Sequence, residues 1–333
     1  MKFLTKIDLA VEAKQLPKKY AVSMKSFYET YRQALIGKGD SIENYESIFN
    51  VFLELVLRQI ESPYPFEPYH RKIREPFDYY AFGLDLLRPL VIFEKSRVLG
   101  LEHVDAMQAC VDREENVILF ANHQTEPDPQ AISLLLEKEK PLFGEEMIFV
   151  AGQRVIADPL AVPFSMGRNL LCIYSKKHME HPIEQKHEKQ LHNQRVMKQM
   201  ALLLSEGGKC IYVAPSGGRD RPDSNGFLEV APFDPQSIEM FWLMAQQSKK
   251  ITHFYTLALS TYKLLPPPCS VECELGESRI TTCTPIHMAF GKEIPMKTFP
   301  GSEGLDKRAL RSARATYIWE QVKHDYMRLT EAP

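Results

Sequence analysis

The chain has no C-x-x-C pair among its six cysteines, which lie at positions 110, 172, 210, 269, 273 and 283. Cys172 and Cys210 fall inside apolar, strand-like runs, so the set reads as buried, reduced thiols. No uninterrupted apolar run approaches the roughly 18 residues of a membrane span. The N-terminus, Met1-Lys2-Phe3-Leu4-Thr5-Lys6-Ile7-Asp8, lacks the apolar stretch of a signal peptide. A soluble, intracellular protein is expected. There is no excess charge of either sign, with 41 basic residues against 43 acidic ones; no global field argues for nucleic acid, and an acidic partner would have to meet a local basic patch. Repeats and low-complexity stretches are absent too. At 333 residues the chain can bury a large core, as one big domain or a big one with a smaller companion.

The first 78 residues read as a small helical domain. A start signal at Asp40-Ser41-Ile42-Glu43 precedes a helix over Tyr45 to Ile60, which should end before Pro63. The proline- and aromatic-rich segment from Ser62 to Pro76 is the connection to the main domain, residues 79–333. There, short apolar runs alternate with amphipathic helices, which predicts an α/β domain. Strands are expected at 117–121, 147–151, 170–174, 209–214 and 254–260, with weaker ones around 271–290. Helices are expected at about 187–206, stopping at Gly207-Gly208, and over Lys307 to Leu329.

In open α/β sheets ligands bind beyond the carboxyl ends of the strands, and three predicted ends carry chemistry. The first is Asn122-His123-Gln124-Thr125-Glu126-Pro127-Asp128. Five residues span about 140° on a continuous helix, so His123 and Asp128 can pair only across a turn. Pro127 and Pro129 supply one, since each biases its predecessor away from the helical region. Asp128 then falls at the N-cap of a helix starting near Pro129. The pair alone leaves two readings open: a helix cap beside an exposed histidine, or a carboxylate orienting an imidazole that takes a proton from a hydroxyl.

The second end, after Leu170 to Tyr174, reads Ser175-Lys176-Lys177-His178, where an anion would be welcome or where the loop is simply solvated. The third, after Cys210 to Ala214, reads Pro215-Ser216-Gly217-Gly218-Arg219-Asp220-Arg221-Pro222-Asp223. Paired glycines let backbone N–H groups approach a ligand, and Arg219 and Arg221 offer forked donors suited to phosphate. The same arginines could instead pair with Asp220 and Asp223 on an ordinary surface loop.

Together the ends describe a proton acceptor beside a phosphate cradle, with no protein nucleophile. Ser216 lacks the first glycine of G-x-S-x-G, so the attacking hydroxyl should belong to the substrate. Metal has little support. His178, His181, His187 and His192 cluster, but His187 and His192 are five apart, which is wrong for H-E-x-x-H. No metal or other cofactor is expected.

These residues resemble a known family. His123-x4-Asp128 resembles the shared motif of glycerolipid acyltransferases. The longer match resembles the soluble, plastid-type glycerol-3-phosphate acyltransferases of chloroplasts and some bacteria. It rests on five segments in order: residues 122–126, Ala157-Asp158-Pro159-Leu160, Pro163 to Leu170, Ser175 to His178, and Ala214 to Asp223. It covers about residues 80–300. The membrane-bound relatives usually carry a Pro-Glu-Gly-Thr type third motif; Pro-Ser-Gly-Gly-Arg-Asp-Arg here favours the soluble enzyme over a lysophosphatidate acyltransferase.

The resemblance implies a small N-terminal helical domain and a larger α/β domain around a mixed, largely parallel sheet flanked by helices. It implies acyl transfer from acyl carrier protein or coenzyme A to the sn-1 hydroxyl of glycerol 3-phosphate, giving lysophosphatidate, the first step of phospholipid biosynthesis. His123 would be the general base oriented by Asp128, and Lys177, His178, Arg219 and Arg221 would hold the phosphate. The site of action would be a bacterial cytoplasm or a plastid stroma, with transient contact at a membrane surface. Lys176, or Arg308, Arg311 and Arg314 on the last helix, are candidates for docking an acidic carrier protein. Phe164, Met166 and Leu170 are candidates for the acyl tunnel. The competing readings are a non-catalytic phosphate-ligand or phospholipid binding protein and a metal-dependent phosphohydrolase.

Overall fold

Apolar runs flanked by helices build a seven-stranded sheet in the computed structural model, which describes residues 2–174, 179, 182–268, 276 and 279–331. The strands are β1 (Arg97–Leu99), β2 (Asn116–Ala121), β3 (Ile148–Gly152), β4 (Asn169–Ile173), β5 (Cys210–Val213), β6 (Thr252–Ser260) and β7 (His287–Phe290). Their order is β1-β7-β6-β2-β5-β3-β4. The five from β6 to β4 run parallel, whereas β7 is antiparallel to β6 and parallel to β1. The expected mixed, largely parallel sheet is what forms, and every long strand read from the sequence is present.

Strand β2 explains why those runs were legible. It is central and buried throughout. Ile118 and Phe120 join one hydrophobic cluster while Val117, Leu119 and Ala121 join another on the opposite face. A strand covered on both faces reads as a continuous apolar run. Because β6, β2, β5, β3 and β4 are parallel, their carboxyl ends share one edge.

The helices Phe3–Glu12, Lys18–Ile36 and Glu46–Glu61 pack through Phe3, Tyr31, Phe49 and Phe52 into a cluster that also takes in Tyr80, Leu134, Leu160, Met166 and Leu264. The N-terminal helices and the sheet-building chain therefore share one core. The connecting segment lies along the edge strand: His70 N donates to Leu170 O at 2.9 Å, and Leu170 N returns the bond at 2.8 Å. An otherwise open sheet edge is thereby covered. Gly167 is required nearby, since a Cβ there would lie 2.5 Å from the Tyr79 carbonyl.

Two expectations are corrected. Asp128 is the first residue of the helix Asp128–Leu136, whose N-cap is Pro127; its carboxylate bonds backward to Gln124 and Thr125 instead of capping forward. Within the region of the weak strands, β7 covers only His287–Phe290, and residues 269–275, 277 and 278 lie outside the described residues. Among the described residues no helix is long and apolar enough to cross a membrane. Cys110, Cys172, Cys210 and Cys283 are free, and burial pushes the Cys172 thiol up to about 12.

Candidate active site

Strand β2 ends at Ala121, and the next three residues are anchored before the chain turns. Asn122 is buried; its Nδ2 donates to Leu259 O at 3.0 Å and its Oδ1 accepts from Leu259 N at 2.7 Å. The Tyr212 hydroxyl donates to Asn122 O at 2.8 Å. Gln124 Oε1 accepts from Thr261 N at 2.7 Å and Tyr262 N at 3.0 Å. The end of β2 is thus tied to β5 on one side and β6 on the other. His123, between two anchored residues, is held with its ring toward the turn.

Across that turn His123 Nδ1 lies 2.8 Å from Asp128 Oδ2. The imidazole side chain is 31% exposed and the carboxylate 1%, so one partner is reachable and the other is not. Asp128 Oδ2 also accepts from Gln124 N at 2.8 Å, and Oδ1 accepts from the Thr261 hydroxyl at 2.5 Å and Thr125 N at 3.3 Å. A carboxylate with this many donors is held in one orientation, and it favours the tautomer with the proton on Nδ1. Nε2 is then the basic nitrogen. Tyr212 is buried near the same carboxylates: burial first, then the charges of Asp128 and Asp220, push its phenol well above the ordinary value. It stays a neutral donor.

The third strand end meets the first. His123, Asp128, Arg219 and Arg221 line a single cavity of about 1320 Å³. Arg221 Nη1 donates to Pro268 O. Ser216 donates to Gly218 O at 3.0 Å, within its own turn. Lys177 and His178 lie outside the described residues, as do Lys176 and His181. Tyr174, just before them, lines the cavity and is clasped by Asn193, which accepts from Tyr174 N and donates to Tyr174 O, both at 2.9 Å.

Ser23, Met24, Phe27, Phe52, Leu87 and Phe164 also line the cavity, so the N-terminal helices form part of its wall. Of the three tunnel candidates, Phe164 and Leu170 line it, while Met166 is not among its lining residues and is packed in the core. Arg314 is no docking residue: it is buried, with Nη1 at 2.6 Å from Glu239 and Nε on Met296 O at 2.8 Å. Its neighbours in space, Glu239 and Trp242, explain why.

Two features escaped the sequence reading. Thr261, at the end of β6, belongs to a fourth strand end that the same comparison would have reached. The other is a buried ion cluster on the cavity wall, where Arg279 Nη2 lies 3.1 Å from Glu126 and 3.4 Å from Asp158. Burial acts to lower the Arg279 pKa, but the charges of Glu126 and Asp158 outweigh it and raise the guanidinium above its ordinary value. These residues are far apart in sequence, and no local pattern links them. His192 is spent on the backbone, its Nε2 2.8 Å from Cys172 O. Cys110, Glu115 and His253 could hold a metal ion, but Glu115 precedes β2 whereas His123 follows it, and Arg113 already bonds both Cys110 and Glu115.

Residues 95–258 match the family model described as Acyltransferase. A chloroplastic glycerol-3-phosphate acyltransferase of Cucurbita moschata is 41% identical over 326 residues, covering 97% of this chain and 70% of its own. The Pisum sativum protein of that name is 43% identical over 327 residues, 97% of this chain and 71% of its own. The Arabidopsis thaliana one is 43% identical over 294 residues, 87% and 64%.

Proposed function

The chain belongs to the glycerol-3-phosphate acyltransferase family, and on that premise we propose that it transfers a fatty acyl chain to the sn-1 hydroxyl of glycerol 3-phosphate. The donor is a thioester of acyl carrier protein or coenzyme A, and the product is lysophosphatidate. The observation that carries this reading is that His123, Asp128, Arg219 and Arg221 line one cavity. A base beside two guanidines suits an acceptor that brings both a hydroxyl and a phosphate. At about 1320 Å³ the cavity exceeds the roughly 300–1,000 Å³ of a usual small-molecule site, and its apolar lining residues suit an acyl chain.

In this mechanism Arg219 and Arg221, with Lys177 and His178, hold the phosphate. Nε2 of His123 takes the proton of the sn-1 hydroxyl as its oxygen attacks the thioester carbonyl carbon. Asp128 stabilises the imidazolium. The tetrahedral intermediate collapses with cleavage of the C–S bond, and the imidazolium returns the proton to the departing sulfur. No acyl-enzyme forms. General-base help is worth about 10²–10⁴ in rate, so much of the remainder must come from holding the hydroxyl against the carbonyl. The chloroplastic relatives support a plastid site of action; transient contact with a membrane surface belongs to the same proposal, since the product is an amphiphile.

The test is an assay of purified protein with labelled glycerol 3-phosphate and an acyl-carrier thioester or acyl-coenzyme A, with and without chelator. The expected result is 1-acyl product at a rate the chelator does not change. Chelator-sensitive release of inorganic phosphate would make the protein a phosphohydrolase. Binding of glycerol 3-phosphate without consumption of thioester would make it a binding protein.

A further inference from the structure

Asp220 stands between the two arginines that line the cavity, and the chemistry above makes no use of it. Its side chain is fully buried, whereas Arg219 and Arg221 are half-buried. What it grips is the strand end that carries the base. Oδ2 accepts from Asn122 Nδ2 at 2.8 Å and from Gln124 Nε2 at 3.4 Å. Its backbone N–H donates to the carbonyl of His123 at 2.6 Å. Residues 122, 123 and 124 are therefore each bonded to this one residue. Oδ1 accepts from Ala231 N at 2.9 Å, which brings the chain beyond Arg221 back onto the same carboxylate.

Burying a carboxylate is costly unless hydrogen bonds offset it. An apolar side chain would hold the loop down at lower cost, but it would leave residues 122–124 unconnected to the arginines. We infer that Asp220 is a positioning residue that fixes the spacing between the arginine cradle and His123. The inference rests on the proposed function, because only an acceptor with its phosphate and hydroxyl on one short skeleton needs that spacing. Reacting atoms must come within about 3–3.5 Å, and a misplacement of about 1 Å costs on the order of 10²-fold in rate.

Two variants test it, Asp220→Asn and Asp220→Glu, each assayed for kcat/KM with glycerol 3-phosphate and with glycerol, which has the hydroxyl without the phosphate. In Asp220→Asn the new amide nitrogen replaces one of two accepting oxygens, so it opposes either the side-chain amides of Asn122 and Gln124 or the backbone N–H of Ala231, donor against donor. The expected result is a fall on the order of 10²-fold with glycerol 3-phosphate and a far smaller one with glycerol, so that the ratio between the acceptors collapses. A parallel fall with both acceptors, as a general loss of structure would give, or no fall with either, overturns the inference. If Asp220→Asn does not fold, Asp220→Glu, which keeps the charge and adds one methylene, is read by the same ratio. The wild-type protein is the control: its failure to acylate glycerol 3-phosphate would sink the proposed function, a result distinct from an unchanged acceptor ratio in the variants.

Discussion

His123 Nδ1 and Asp128 Oδ2 lie 2.8 Å apart across a turn, and the same carboxylate oxygen also accepts the backbone N–H of Gln124 at 2.8 Å. One oxygen thus fixes both the imidazole and the peptide beside it. Asp128→Asn should put an amide nitrogen against one of these donors or leave Nδ1 without its charged partner. The expected loss in kcat is roughly 10²–10⁴-fold, with the KM for glycerol 3-phosphate little changed. Steady-state kinetics check this, and a KM effect without a kcat effect would contradict it.

The arginines should behave in the opposite way. In the proposed mechanism Arg219→Ala or Arg221→Ala removes a charged hydrogen bond to phosphate, worth about 1.5–3 kcal/mol. The KM for glycerol 3-phosphate should rise by roughly 10- to 100-fold, with a smaller change in kcat. Titration of the acceptor at saturating thioester measures it, and an unchanged KM would refute the assignment.

Much of this site was legible because its chemistry sits where apolar runs stop. β2, β5 and β6 announce themselves as buried strands, so the residues after them are identifiable from the sequence as strand ends. The edge strand β1, Arg97–Leu99, has three half-buried residues and gives no comparable signal. The helix cap that a local rule favours for an Asp before a proline does not form at Asp128, because its partners come from the preceding turn and from the residue after β6. The charged face read for Arg314 failed for a similar reason: helical spacing says which residues share a face, not which face meets Glu239. Arg279 meets Glu126 across 153 residues of chain, a pairing that only the fold creates.

That pairing should matter for stability. Arg279→Met would leave Asp158, 1% exposed, and Glu126 with no guanidinium between them. Breaking a buried ion pair from one side costs about 3–5 kcal/mol. Urea unfolding of the variant should show a loss of that order, and an unchanged midpoint would contradict it.

Asp220 should leave a signature in pH. Burial raises its carboxyl from an ordinary 3.8 to about 6, opposed by hydrogen bonds from Ala231, Asn122 and Gln124. The folded protein therefore holds this proton more tightly than the unfolded chain between those two values. The contribution to stability is present in full below the lower value and is lost as pH rises through about 6. Wild type should lose stability relative to Asp220→Asn over that window, as urea unfolding of both proteins at several pH values will show. A constant difference, or one of opposite sign, would contradict the burial argument.

In the proposed mechanism His123 is the base for a hydroxyl supplied by the substrate. His123→Ala, assayed for turnover with a saturating acyl thioester and for glycerol 3-phosphate binding by calorimetry, tests it most directly. The expected result is nearly abolished turnover with the acceptor still bound at close to wild-type affinity; turnover at the wild-type rate would contradict the assignment of His123 as base.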